Sequence, residues 1–120
     1  MKCLLGLFVV FLGVTAALAD GADVLKLRAK DEGNGFWRFD VKVRHPDEGW
    51  EHYADRWEVL SPAERVLGTR VLLHPHVYEQ PFTRSLGGAF IPEDISEVIV
   101  KASCSVDGYT GTEMTVTLAR

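Results

Sequence analysis

Apolar and charged residues alternate strictly on both sides of one glycine-rich turn, and this leaves the chain little choice of fold. Leu25, Leu27 and Ala29 alternate with Lys26, Arg28 and Lys30. Beyond Asp31-Glu-Gly-Asn-Gly35, Trp37, Phe39, Val41 and Val43 alternate with Arg38, Asp40, Lys42 and Arg44. A period of two sorts residues onto the two faces of a strand, whereas a helix needs apolar spacing of three and four. Two such runs around a Gly/Asn turn predict an antiparallel hairpin with one face on a core and the other in water.

The remainder reads the same way. Arg56 to Leu60 carries Trp57 and Val59 on one side, and Ser61-Pro-Ala-Glu-Arg65 is a turn. Val66 to Leu73 resumes strand-like residues with Gly68 at a bulge, and Phe82 to Ile91 is extended around Gly87-Gly88. Val98, Val100, Ala102 and Cys104 alternate with Ile99, Lys101, Ser103 and Ser105, and Asp107-Gly-Tyr-Thr-Gly111 closes a second hairpin into Met114, Val116 and Leu118. About seven short strands separated by regular turn signals predict an all-β chain. The expected architecture is a single antiparallel β-sandwich, immunoglobulin- or fibronectin type III-like, with a small barrel as the alternative. Trp57 is expected in its core.

The first nineteen residues read differently. Lys2, the apolar run Leu4–Leu12 and the small-x-small triplet Ala17-Leu-Ala19 form a signal-peptide pattern, expected to be cleaved before Asp20. The run is shorter than the roughly 20 residues of a membrane span, and no second one follows, so the mature chain is expected to carry no membrane span. Residues 20–120 are then one β-sandwich domain, long enough to stand on its core without staples. Cys3 leaves with the leader, so Cys104 has no intrachain partner and reads as a buried, inert thiol. An exported domain without a disulfide points to a periplasmic or secreted bacterial protein. The composition is acidic, with 13 Lys+Arg against 17 Asp+Glu, and no basic block interrupts it. Nucleic acid and anionic lipid are therefore poor candidate partners.

Candidate functional residues concentrate in two stretches, His45–Trp57 and His74–Arg84, which hold all 4 His of the chain. Trp50 and Tyr53 sit among Pro, Gly and acidic residues on an expected loop. With His74 and Phe82 they form a candidate surface for a protein or glycan partner, since aromatic rings on loops stack on sugars or pack on proteins. His74-Pro-His76 has the i, i+2 spacing that aims two imidazoles one way, and Zn²⁺ or Cu²⁺ is the metal such a pair suits. His52 or Asp55, with His45 and Glu79 as further possible ligands, would complete the set if the two stretches meet, although Pro75 confines the pair to an edge or loop. No other cofactor is indicated. Ser85 lacks a G-x-S-x-G context, no Gly-rich phosphate cradle follows a strand, and Cys104 has no cue linking it to a His. A sandwich this small offers little room for a cleft, so the expectation is a non-enzymatic binding or accessory module.

Trp50-Glu-His-Tyr-Ala-Asp-Arg-Trp-Glu-Val59, Leu67-Gly-Thr-Arg70, His74-Pro-His76, Glu79–Leu86 and the Asp107-Gly-Tyr turn resemble segments of small exported bacterial proteins, chiefly of proteobacteria, of unknown function. The resemblance spans most of residues 23–118 and carries no activity to transfer. A shorter stretch, Val43-Arg-His-Pro-Asp-Glu-Gly49, resembles the strand-loop of a sulfur-carrier sandwich subunit from sulfur-oxidising systems.

Overall fold

The computed structural model describes residues 21–120; the expected leader and its cleavage point lie outside them. The strongly alternating segments become β1 (Asp23–Gly33) and β2 (Phe36–Arg44). Five further strands follow: β3 (Ala54–Leu60), β4 (Val66–Val71), β5 (Phe82–Phe90), β6 (Glu97–Cys104) and β7 (Met114–Thr117). Gly33, Asn34 and Gly35 all take positive φ in the β1–β2 turn, which is why the turn needs Gly and Asn there. The chain pairs β1-β2-β5 in one sheet and β4-β3-β6-β7 in the other, every pairing antiparallel. The predicted sandwich and both predicted hairpins are present. A register shift falls beside Gly68 in β4, as expected, and another falls at Gly87-Gly88 in β5.

The inward residues of β2 (Trp37, Phe39, Val41, Val43) face Trp57 and Val59 of β3 and Val98, Val100 and Ala102 of β6 across the sandwich. Trp57 is fully buried, as expected. Losing an indole of this kind from a packed core costs about 3–5 kcal/mol. One side of the sandwich is closed by close backbone approach, with Thr112 N–H donating to Asp23 and Val24 N–H donating to the Thr112 carbonyl. Among the described residues, no helix is long and apolar enough to cross a membrane.

Candidate metal centre

Register places the site. β2 ends at Arg44, and His45 follows it at one end of the sandwich. On the opposite sheet Ala54, the first residue of β3, pairs with Cys104, the last residue of β6. The loop between β2 and β3 is thereby drawn against the turn after β6. Tyr53 N–H donates to Ser105 Oγ (3.1 Å) and Ser105 N–H to the Tyr53 carbonyl (2.8 Å). Two residues ahead of Ala54, His52 folds back on its own loop, donating its N–H to the Gly49 carbonyl and accepting Glu48 N–H. The turn after Cys104 is tight, with Cys104 and Gly108 exchanging backbone hydrogen bonds and Gly108 at positive φ.

These constraints bring His45, His52 and Cys104 together, each with a ligand atom within 4.8 Å of the others. The two imidazoles meet edge to face, 4.8 Å between centroids. His45 is fully buried, and its Nδ1 lies 2.7 Å from Asp47 Oδ1. A carboxylate only accepts, so Nδ1 carries the proton and Nε2 presents a lone pair. Nε2 is buried with no hydrogen-bond partner among the described residues. A carboxylate fixing one imidazole nitrogen while the other is left for a metal is the usual outer-shell arrangement of a His ligand. Asp47 does more than orient His45. Its Oδ1 also accepts Ala54 N–H (2.9 Å), and its Oδ2 accepts His76 N–H (2.7 Å). Asp107 borders the cluster from the other side, with Oδ2 3.6 Å from His52 Nε2 and 3.7 Å from Cys104 Sγ. Its backbone N–H also donates to Cys104 Sγ at 3.1 Å, which fixes where the sulfur sits.

The donor set fits a metal ion in chemistry and nearly in reach. A tetrahedral ion with bonds of about 2.0–2.3 Å holds its donors some 3.3–3.6 Å apart, so closing the observed cluster takes an ångström or so of side-chain rotation. Thiolate with imidazole selects zinc, copper or iron over the hard cations magnesium and calcium.

The metal set expected from sequence is redistributed. His52 belongs to the cluster, but His74, His76 and Asp55 do not. His76 stacks on Phe82 (centroids 4.0 Å apart, planes 11° apart), and its Nε2 lies 2.9 Å from Arg84 NH2. Guanidinium only donates, so that lone pair is already used. Burial and the neighbouring Arg84 charge also lower the His76 pKa below its usual value. His74 stays exposed beside it. Asp55 lies nearest Arg56 instead, at 3.6 Å. The expected partner surface is also rearranged. Trp50 is 65% exposed, packs edge to face on Tyr53, and shares a shallow groove with His74, Val77 and Tyr78. Phe82 is buried beneath this region and lines none of it. Sequence reasoning named His45 only as a further possible ligand, read Cys104 as an inert core thiol, and missed Asp107. The one local cue was His45-Pro-Asp47, a His with a carboxylate two residues on; nothing in the linear order ties it to Cys104.

No family model matches the chain. It is 37% identical over 95 residues to a "Putative lipoprotein" of Halomicrobium mukohataei, an alignment taking in 79% of this chain and 46% of that protein. The chain thus spans about half the length of that relative. The source is archaeal, so the expected link to proteobacteria is not supported. Among solved structures, the fold is similar to a hypothetical protein from Pyrococcus horikoshii OT3 (TM-score 0.54, 16% identity, 83% of this chain and 90% of that one). It is also similar to a superoxide reductase in the oxidized state (TM-score 0.52, 16% identity, 85% of this chain and 91% of that one). At such identities the likeness is one of fold. It nevertheless corrects the expectation of a non-enzymatic module: a sandwich of this size and topology houses an enzyme, so smallness is no ground for excluding catalysis.

Proposed function

We propose that this chain is an exported, cell-envelope domain that binds one transition-metal ion. His45 Nε2, His52 and Cys104 Sγ are the ligands, and Asp107 is placed to complete the set. The observation that carries this reading is the fully buried His45, fixed by Asp47 at Nδ1 and left with an unpartnered Nε2 against a thiol and a second imidazole. The lipoprotein relative and the leader pattern support the envelope location. An ion held there supplies Lewis acidity or one-electron chemistry. The chain's own contribution is to orient His45 through Asp47, to shield its Nε2 from water, and to position Cys104 Sγ through the Asp107 N–H. The test is cobalt substitution of the full chain, followed by thiolate-to-metal charge-transfer absorption and elemental analysis. One equivalent is expected, with the charge-transfer band abolished in Cys104→Ser and uptake weakened at least tenfold in His45→Ala. A chain that takes up no zinc, copper, iron or cobalt refutes the reading.

A second reading concerns the chemistry at that centre. The fold likeness favours one-electron reduction of superoxide, consuming two protons and an external electron to give hydrogen peroxide. Superoxide removal by iron-loaded protein, lost in Cys104→Ser, supports it; removal no faster than with free iron excludes it.

A further inference from the structure

The outer face of the β1-β2-β5 sheet is a cationic surface on an acidic chain. Cross-strand register sets Lys26 opposite Lys42 and Lys30 opposite Arg38, while Arg28 faces Asp40 and Arg44 faces Asp23. Like charges directly opposite on an antiparallel pair are destabilising, so this arrangement works against the fold that holds it. The carboxylates on this face are Asp23, Asp40 and Glu32. Asp40 pairs with Arg38, Asp23 with Arg44, and Glu32 accepts Gly88 N–H. Lys26, Arg28, Lys30 and Lys42 form no ion pair within 4.0 Å among the described residues. Lys26, Arg28 and Lys42 border one shallow concavity together with Asp40 and Thr83. The protein as a whole is negative by 4 charges, so this concentration is not a by-product of composition.

We infer that this face docks the domain on an anionic membrane surface, with lipid phosphate groups seated among Lys26, Arg28, Lys30 and Lys42. Charge complementarity and shape both favour a bilayer. The cations are spread over two strands of an exposed sheet rather than converging on a deep pocket. The contact is therefore electrostatic and made at headgroup level. Short-range attraction of this kind amounts to about a fivefold gain in partitioning per Lys or Arg near the surface. The site is distinct from the metal donors, which follow β2 and end β6, and the inference does not depend on the metal reading. The linear sequence hides the patch because each strand contributes alternate residues, and only their pairing gathers them.

Co-sedimentation of the full chain with phosphatidylcholine vesicles, with and without phosphatidylglycerol, tests it. The increment due to phosphatidylglycerol is the readout, because attachment through the apolar Leu4–Leu12 run would be equal on both. The expected result is a clear increment that falls about thirtyfold in Lys26→Gln/Lys42→Gln. It should also collapse as the screening length shrinks from about 10 to 3 Å between 0.1 and 1 M salt. Lys101→Gln, on the other sheet and already paired with Glu64, should leave it unchanged. No increment, an increment untouched by the double substitution, or an equal loss with Lys101→Gln overturns the inference. Binding to soluble polyphosphate without binding to vesicles also overturns it and assigns the face to a polymer.

Discussion

Replacing Asp47 by Asn isolates what one buried carboxylate does for both the fold and the site. Asp47 accepts from His45 Nδ1, Ala54 N and His76 N, and its side chain is wholly buried. Asn has the same shape but only one acceptor oxygen. If that oxygen faces His45 and Ala54, the amide nitrogen opposes His76 N–H. If it is turned, the amide opposes Ala54 N–H and drives the proton of His45 from Nδ1 to Nε2, the wrong nitrogen for a ligand. Either way at least one buried donor is orphaned, at about 1–3 kcal/mol, more where a charged acceptor is lost. The expected loss is about 2–3 kcal/mol in urea unfolding, or roughly 8–20 °C in Tm for a domain of about 100 residues. Losing the carboxylate that orients His45 should also weaken cobalt binding about 10–100-fold. Both quantities are measured on the same preparation, with Ser103→Ala, also buried but outside the Asp47 network, as the control. If Asp47→Asn stays within about 0.5 kcal/mol of the parent, the three-donor argument is wrong. If stability falls while cobalt affinity holds, Asp47 is a structural hub and does not orient a ligand.

Two further outcomes follow from the structure. The His76 pKa is lowered, chiefly by burial and then by Arg84 and His74, against weaker raising by Glu79 and Asp47. The unfolded chain therefore binds a proton more readily than the folded one, and stability due to neutral His76 is complete above about pH 6.5 and is lost as pH falls below it. The Tm difference between neutral and mildly acidic buffer should shrink in His76→Gln, and an unchanged difference would refute the assignment. At Gly111, an added Cβ would overlap the Ala22 carbonyl oxygen where the chain closes one side of the sandwich. Gly111→Ala should cost about 1–3 kcal/mol by calorimetry, and a parental Tm would show that this contact yields freely.

The fold was legible because the β1–β2 and β6–β7 hairpins are written in local alternation, and local alternation is what a strand obeys. Trp57 was placed correctly for the same reason. The site was not, because it is made by register between segments far apart in sequence. Cys104 reads as a core residue on β6, and only its pairing with Ala54 reveals that it meets His52. His74-Pro-His76 looked like a chelating pair because spacing carries no information about Arg84, which occupies the His76 lone pair, or about Phe82, which stacks against its ring. The cationic face failed for a related reason: a search for basic blocks along the chain does not see charges that become neighbours across a sheet.

The depth of the His45–Asp47 pair has a kinetic consequence. The cluster is graded from outside to inside, with Asp107 partly exposed, His52 nearly covered, and Cys104 and His45 buried. On the proposed reading, an incoming ion meets the carboxylate and His52 first and His45 last. Capture is then stepwise, its final step waits on movement of the loop between β2 and β3, and release runs in the reverse order. Such a centre exchanges its ion slowly whatever its affinity, so that the ion acquired while that loop is closing is the one the protein keeps.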